Sequence, residues 1–270
     1  MPAPPNDRTP VPVLMYHSVS QVPAGPLRSL AVPPGLLAEQ LAALAGAGYR
    51  LVGLSEAADL VAAGSADRVA ALTFDDGYAD FLTAGLPVLA EAGAGATLYP
   101  SVGQLGRPAG WLGRWAGRFG PLLSWSQLRE VAGTGIEIGN HGLQHHPLDV
   151  LPPAQLRHEV VTSHDRLEQE LQREIRSFCY PHGYHNRTVR QAVALAGHQN
   201  ACQIGRRCYR AGDDRFAIPR LQPTPDHSGD DLVALAGTGG RQLVPRAKRL
   251  AQPAWRVTRR VAHRLGRTLA

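Results

Sequence analysis

Two short groups of residues in this sequence have side chains that could do chemistry. The first is Asp75-Asp76, two carboxylates that follow the apolar segment 68–74. The second is His141 with His145, whose i, i+4 spacing allows a helical turn or a tight loop to direct both imidazoles at one point. Adjacent carboxylates repel each other unless water screens them or a cation or hydrogen-bond donors hold them. Two histidines, one carboxylate and a water form a three-ligand catalytic zinc site, so the sequence predicts a metal centre.

Each group also has a simpler interpretation. Asp-Asp-Gly is a common turn sequence, and His-x-x-x-His alone fits surface or hydrogen-bonded histidines. The metal centre is favoured because both groups follow short apolar segments, 68–74 and 135–138, that are typical of buried strands. In a parallel α/β fold, such strand ends face the functional side of the protein.

Strand-like and helix-like segments alternate along most of the chain. The candidate strands are 11–16, 49–54, 68–74, 96–100, 135–138, 176–180, 201–204 and 217–221. Between them, Ser124 with Gln127 forms a capping box, and Asn186 is expected to cap a helix from Arg187 to Leu195. Repeated strand–helix–strand units predict a parallel sheet, but periodicity does not decide whether it is open or closed. At 270 residues, one domain is expected rather than two.

The motifs of the chain resemble those of the polysaccharide deacetylases (carbohydrate esterase family 4, the NodB-homology domain). Thr-Phe-Asp-Asp-Gly is intact at 73–77, and the second motif, His-Ser/Thr-x-x-His, matches at His141 and His145 with Gly142 at the hydroxyl position. The third motif, Arg-x-Pro-aromatic-Gly, is altered to Cys-Tyr-Pro-His-Gly at 179–183. This resemblance covers most of the chain and implies an α/β fold, a distorted (β/α)7-type barrel in a single domain.

The resemblance also implies an activity. The expected function is a metal-dependent hydrolase that removes N-acetyl groups from an acetylated sugar, whether a polysaccharide, an oligosaccharide or a lipid-linked glycan. On the family pattern, Asp76, His141 and His145 hold the metal, which is Zn²⁺ or alternatively Co²⁺, Ni²⁺ or Mn²⁺, because ligand type discriminates poorly among them. Asp75 is the expected general base, acting on metal-activated water. The backbone N–H of His182 is expected to stabilise the oxyanion.

The general acid of the reaction is not evident in the sequence. Family members carry a late Leu-x-His motif whose histidine is the acid, and this chain lacks it. His17, at the end of the first candidate strand, and His182, in the third motif, are the preferred candidates for the acid. His227 ranks behind them because it lies in a polar segment that indicates a loop.

A second departure concerns the cation that orients the base. Cys179 occupies the position of the family's arginine, and Arg220 could supply the charge from the last candidate strand or could be an ordinary surface cation. These departures leave open a second function, a non-catalytic carbohydrate-binding barrel that retains the metal site. The intact Asp75 favours the enzyme, because a binding module has little use for a base beside the metal.

Residues 103–123 interrupt the alternation of strands and helices. This glycine-rich segment contains Trp111, Trp115 and Phe119. Long loops in compact domains are often functional, and tryptophan faces suit sugar rings, so the segment could be a lid on the substrate side. It could equally be held to the barrel by packing of its aromatic side chains.

Both ends of the chain differ from residues 11–240, the expected barrel domain. Residues 1–10 are proline-rich and are expected to be disordered. Residues 241–270 are predicted to form a basic amphipathic tail, since 246–270 contains eight Lys or Arg and no acid. Such a helix could contact an anionic membrane surface or remain solvated, and no motif indicates nucleic acid as a partner. The three cysteines show no pairing pattern and no signal-like segment is present, which predicts a cytoplasmic protein, peripheral at the inner membrane face if the tail binds there.

Overall fold

The computed structural model describes residues 10–239, together with Trp255 and Thr258. The strands of this region pair in parallel and form two sheets. They are β1 (Val13–Tyr16), β2 (Arg50–Val52), β3 (Val69–Asp76), β4 (Thr97–Pro100), β5 (Glu137–Ile138), β6 (Ser177–Cys179), β7 (Asn200–Ile204) and β8 (Ile218–Arg220). The larger sheet has the order β1-β3-β4-β5 with β2 also paired to β3, and the smaller sheet has the order β6-β7-β8.

The helices that cover these sheets follow the alternation predicted from the sequence. They are α1 (Pro34–Gly46), α2 (Leu54–Ala63), α3 (Leu86–Glu91), α4 (Trp125–Gly133), α5 (Pro153–Leu171), α6 (Arg187–Leu195) and α7 (Gly229–Gly237). Local signals explain two of their starts. Ser124 and Gln127 form the predicted capping box at α4, and the Asn186 side chain accepts a hydrogen bond from the Val189 N–H at α6.

The centre of the larger sheet is β3, whose eight residues are all buried. It pairs with β1 along one edge and with β2 and then β4 along the other. The register places Asp75 beside Tyr99 and Asp76 beside Pro100, so the strand continues through both carboxylates instead of ending before them. The chain then turns at Gly77, where φ is 84° and a Cβ atom would lie 2.9 Å from the Cα of Pro100. Only glycine fits this turn.

The two sheets meet along both of their outer edges. Single parallel bridges join Leu14 to Leu221 on one side and Asn140 to Phe178 on the other. The result is a distorted (β/α) barrel in which two seams have short bridges instead of full strand pairing. All parallel strands therefore direct their carboxyl ends to the same side, and the predicted site residues lie at or after those ends.

The glycine-rich segment 103–123 packs partly onto the barrel. Val102–Gln104 and Gly110–Trp115 form short 3₁₀ helices. Phe119 is buried with its ring 5.2 Å from the ring of Tyr78, which anchors this part of the segment. Residues 1–9 and most of the basic tail lie outside the described residues. In the tail, Trp255 Nε1 donates to Tyr184 Oη at 3.2 Å. Among the described helices, none has the length and apolar character needed to cross a membrane.

Candidate active site

Three predicted ligands converge at the carboxyl ends of the larger sheet. Asp76 Oδ1 lies 3.5 Å from His141 Nε2 and 3.3 Å from His145 Nε2. All three side chains are buried. The loop that follows β5 carries both histidines, and β3 carries the carboxylate. Two imidazole nitrogens and one carboxylate oxygen that meet in this way fit a divalent cation with a remaining position for water.

The two imidazoles are held differently. His141 Nδ1 donates to the backbone carbonyl of Cys179 at 2.8 Å, which leaves the Nε2 lone pair directed at Asp76. His145 Nδ1 is buried and has no hydrogen-bond partner among the described residues. The ring of His145 instead stacks on Trp111, with centroids 4.1 Å apart and planes at 19°. The orientation of His145 therefore depends on packing and on its backbone.

Charge at the three ligands is compatible with a metal. Burial raises the pKa of Asp76, but hydrogen bonds with His141 and His145 outweigh burial and hold the pKa well below its usual value. Burial lowers the pKa of His145, which favours the neutral imidazole that a cation requires. For His141, burial also lowers the pKa, but hydrogen bonding to Asp76 and the charge of Asp75 dominate and raise it. A metal would therefore compete with a proton at His141.

The second carboxylate, Asp75, is held by a buried arginine from the smaller sheet. Arg220 Nη1 and Nη2 donate to Asp75 Oδ1 and Oδ2 at 2.6 and 2.7 Å, and Nη1 also donates to Thr73 Oγ1 at 3.0 Å. Arg220 is only 1% exposed, so the alternative of a surface cation is wrong. Burial raises the pKa of Asp75, but the charge and hydrogen bonds of Arg220 outweigh it and lower the pKa.

The cysteine of the altered third motif lies beside this ion pair. Cys179 Sγ is 3.2 Å from Arg220 Nη2 and 3.5 Å from Asp75 Oδ2. Cys179, Asp75 and His141 form a second group of donors close enough to hold a metal. That group is the poorer site, because Arg220 already occupies both oxygens of Asp75. Burial also raises the pKa of the Cys179 thiol well above its usual value, which disfavours the thiolate that binds metals.

The three candidates for the general acid have different surroundings in the structure. His17 follows β1, and its Nε2 lies 4.0 Å from Asp75 Oδ2 with 14% of the side chain exposed. The His182 ring packs edge-on against His145, with centroids 4.5 Å apart, and burial lowers the pKa of His182 well below its usual value. His227 lies in a turn against α1, where its Nδ1 accepts from the Thr224 N–H at 3.0 Å and its carbonyl accepts from Gln40.

Strained backbone coincides with the site. Asp76, His145 and His182 have φ values of 72°, 59° and 57°, in the left-handed region that residues other than glycine seldom adopt. Such conformations persist only where the surrounding structure enforces them, and they cluster at functional sites. These three residues contribute two of the ligands and the third-motif backbone N–H.

One buried carboxylate at the site was missed by the sequence analysis. Glu159 on α5 is 3% exposed and accepts hydrogen bonds from the loop that carries His141 and His145. The available signal was its position three residues after Leu156 and one before Val160, which places an acid on the apolar face of a helix.

Comparisons with known proteins show the family to which the chain belongs. A sequence model of the polysaccharide deacetylases matches residues 62–201. The chain is 26% identical over 226 residues to YxkH of Bacillus subtilis (strain 168), whose name places it among the polysaccharide deacetylases, and the match covers 83% of this chain and 75% of that protein. IcaB from Ammonifex degensii superposes with a TM-score of 0.73 at 26% identity, covering 85% of this chain and 97% of IcaB.

A further solved structure supports the fold. The deacetylase PplD of Streptococcus pyogenes, solved in complex with acetate, superposes with a TM-score of 0.72 at 24% identity, covering 84% of this chain and 98% of PplD. The family match and the deacetylase relatives place the protein in the class of hydrolases that act on carbon–nitrogen (amide) bonds. The chain belongs to the polysaccharide deacetylase family.

Proposed function

We propose that the protein is a metal-dependent N-deacetylase of acetylated sugars, in which Asp76, His141 and His145 hold the cation and Asp75 is the general base. The observation that carries this proposal is the convergence of three donor atoms beside a separate carboxylate that is fixed by Arg220. A divalent cation bound there supplies a Lewis acid and lowers the pKa of water. The donor set suits Zn²⁺, and Co²⁺, Ni²⁺ and Mn²⁺ remain alternatives.

Asp75 has the surroundings that a base needs. Because Arg220 lowers the pKa of Asp75, its carboxylate stays ionised through the neutral range and can accept a proton from the attacking water. The two-point contact with the guanidinium also fixes the plane of the carboxylate. A carbohydrate-binding module would gain nothing from this arrangement, so the site favours catalysis.

Proton delivery to the leaving amine is assigned to His17. Its Nε2 lies on the side of Asp75, 4.0 Å from Oδ2, and the side chain is partly open to solvent. His182 is a poorer donor because burial keeps its imidazole neutral. We assign to His182 the other expected role, in which its backbone N–H stabilises the oxyanion of the tetrahedral intermediate. The amide bond then breaks, releasing acetate and the free amine.

Acetate release tests the activity. Purified full-length protein supplied with Zn²⁺ is incubated with N-acetylglucosamine oligomers of increasing length, and acetate is measured by an enzyme-coupled assay. We expect release by the wild type and a loss of about 10²- to 10⁴-fold in Asp75→Asn, because the general base is removed. Release of acetate at the wild-type rate by Asp75→Asn, or no release from any oligomer by metal-loaded wild type, would contradict the proposal.

Two further proposals concern the location of the protein in the cell. We propose that the protein acts in the cytoplasm and that the basic residues of 246–270 bring it to anionic membranes, since eight basic residues without an acid favour such a surface. Co-sedimentation of full-length protein with phosphatidylserine vesicles at low salt is the expected result. Failure to sediment with these vesicles would remove the membrane proposal and leave the deacetylase proposal unaffected.

A further inference from the structure

The loop that carries both histidine ligands has little internal structure to hold its shape. Residues 139–147 contain no helix and no strand. Gly142, with φ of 77°, contributes no side chain, and His145 adopts a left-handed conformation. A loop of this kind needs contacts from elsewhere in the fold to keep one conformation.

Backbone bonds from Val102 and Gly103 to the carbonyls of Gly142 and Leu143 supply some of these contacts. A buried carboxylate on α5 supplies others, next to His145. Glu159 Oε2 accepts from the backbone N–H of Leu143 at 3.0 Å and from that of Gln144 at 2.9 Å. Glu159 Oε1 lies 2.9 Å from His146 Nδ1. The Glu159 side chain is 4% exposed, so these bonds are shielded from competition with water.

The contacts of Glu159 flank the ligand that lacks an orienting bond of its own. His141 is oriented through its Nδ1 bond to the Cys179 carbonyl, whereas His145 Nδ1 has no partner among the described residues. His145 lies between Gln144 and His146, and Glu159 binds both of these neighbours. The direction of the His145 imidazole therefore depends on the backbone on either side of it, together with the stacked ring of Trp111.

We propose that Glu159 is a positioning residue of the metal site, which holds the 143–146 loop so that His145 Nε2 is directed at the cation. The inference rests on the proposed metal site. Groups that orient metal ligands typically change metal affinity by about 10- to 100-fold when they are removed. If the role of Glu159 were purely structural, its removal would lower the stability of the protein and leave the metal affinity unchanged.

Zinc affinity of the folded protein separates these two roles. Zn²⁺ binding to the full-length protein is measured by competition with a chromophoric chelator, well below the melting temperature. We expect Glu159→Ala to bind Zn²⁺ about 10- to 100-fold more weakly than the wild type. Glu159→Gln retains an acceptor oxygen for both backbone N–H groups, so it should recover most of the affinity. The visible spectrum of the Co²⁺-loaded proteins should show the same order of disturbance.

The matched control is Leu156→Ala, one turn earlier on the same helix. Leu156 is 4% exposed and belongs to the apolar cluster that includes Val160 and Phe178, so we expect its truncation to lower the melting temperature and leave the Zn²⁺ affinity at the wild-type value. Wild-type affinity in Glu159→Ala would overturn the positioning role, as would an equal loss of affinity in Leu156→Ala.

A third variant covers the case in which Glu159→Ala does not fold. His146→Ala removes one of the three bonds from a side chain that is 38% exposed, so we expect a small loss of Zn²⁺ affinity at an unchanged melting temperature. Unchanged affinity in this variant would then overturn the proposal. No Zn²⁺ binding by the wild type would instead overturn the metal site itself, whereas tight binding by both wild type and Glu159→Ala would overturn only the positioning role.

Discussion

The two sheets of the barrel contribute different chemistry to one site. The larger sheet provides the groups that the reaction needs directly: the acid pair at the end of β3, the histidine loop after β5 and His17 after β1. The smaller sheet provides groups that orient them: Arg220 on β8 binds Asp75, and the Cys179 carbonyl on β6 binds His141.

This difference shows which residues of such a site can come from different positions in the sequence. Metal ligands must reach one point within a few tenths of an ångström, which keeps them in short motifs on fixed strand ends. A positive charge beside Asp75 has no such restriction, because it can arrive from any strand that borders the same space. The arginine position in the third motif is occupied here by Cys179, and Arg220 on β8 supplies the charge.

The largest effect is expected on removing the charge that the smaller sheet supplies. Arg220→Ala leaves Asp75 buried without its cation, which we expect to destabilise the protein by about 3–5 kcal/mol. Urea denaturation measures the change. The matched control is Arg129→Ala, whose partner Glu170 lies 2.9 Å away with both side chains more than 40% exposed. It should cost about 0–1 kcal/mol. Equal costs for the two variants would remove the proposed division between the sheets.

A half-buried carboxylate that has no ion pair with a described residue sharpens the comparison. Asp80 follows β3, accepts a hydrogen bond from Ser18 and has one oxygen, Oδ1, with no partner among the described residues. Burial raises the pKa of Asp80 from 3.8 to about 6, whereas the pKa of Asp75 is lowered by Arg220. Asp75 on β3 and the half-buried Asp80 after it therefore have pKa shifts of opposite direction, and the arginine from the smaller sheet lowers that of Asp75.

The raised pKa predicts how the stability changes with pH. Well below pH 3.8 Asp80 is protonated in both the folded and unfolded states and adds no cost. Between pH 3.8 and about 6 the unfolded state releases this proton while the folded state retains it, so the stability falls. The loss reaches about 3 kcal/mol, from roughly two pKa units at 1.36 kcal/mol each, and stays constant above pH 6. Asp80→Asn should therefore be more stable than the wild type at pH 7.5 and nearly equal to it at pH 4. A stability difference that is independent of pH would contradict this account.

The smallest expected effect concerns the wall of the site. A cavity of about 310 Å³ beside His145 is lined by Trp111, Gln144 and His146 among others. If a sugar ring occupies it, Trp111→Ala should raise KM about three- to tenfold, as loss of roughly 1 kcal/mol of ring contact implies, with a smaller change in kcat at saturating Zn²⁺. Trp115→Ala in the same segment is the control, since Trp115 is not among the cavity residues. Equal changes in KM would assign the effect to packing of the segment.

The fold was largely predictable because its signals are local. Apolar segments and helix starts depend on neighbouring residues, so α6 was predicted with its observed bounds, and the strands were placed within one or two residues at most ends. The extension of β3 through Asp75 and Asp76 was not predicted. It depends on pairing with Tyr99 and Pro100 of β4, a contact about 24 residues away along the chain.

The site was predictable to the extent that it lies in motifs. The donors Asp76, His141 and His145 meet as the family resemblance implied, and the spacing of the two histidines had indicated a common point for their imidazoles. The sequence alone could not show whether the Arg220 side chain is exposed or buried, because the burial of β8 depends on how the barrel assembles. Glu159 was missed for the same reason, since an acid on a helix is ordinarily solvated and only the packing of α5 on the histidine loop makes it a buried acceptor.

Metal content is the most direct test of the central claim, that Asp76 is a ligand and Asp75 a base. Wild type, Asp76→Ala and Asp75→Asn are purified at full length, offered Zn²⁺, desalted and analysed by mass spectrometry for metal per chain, with acetate release assayed in parallel. We predict about one Zn²⁺ per chain in the wild type and in Asp75→Asn, none in Asp76→Ala, and acetate only from the wild type. No metal in the wild type, or loss of metal from Asp75→Asn with retention in Asp76→Ala, would contradict the assignment.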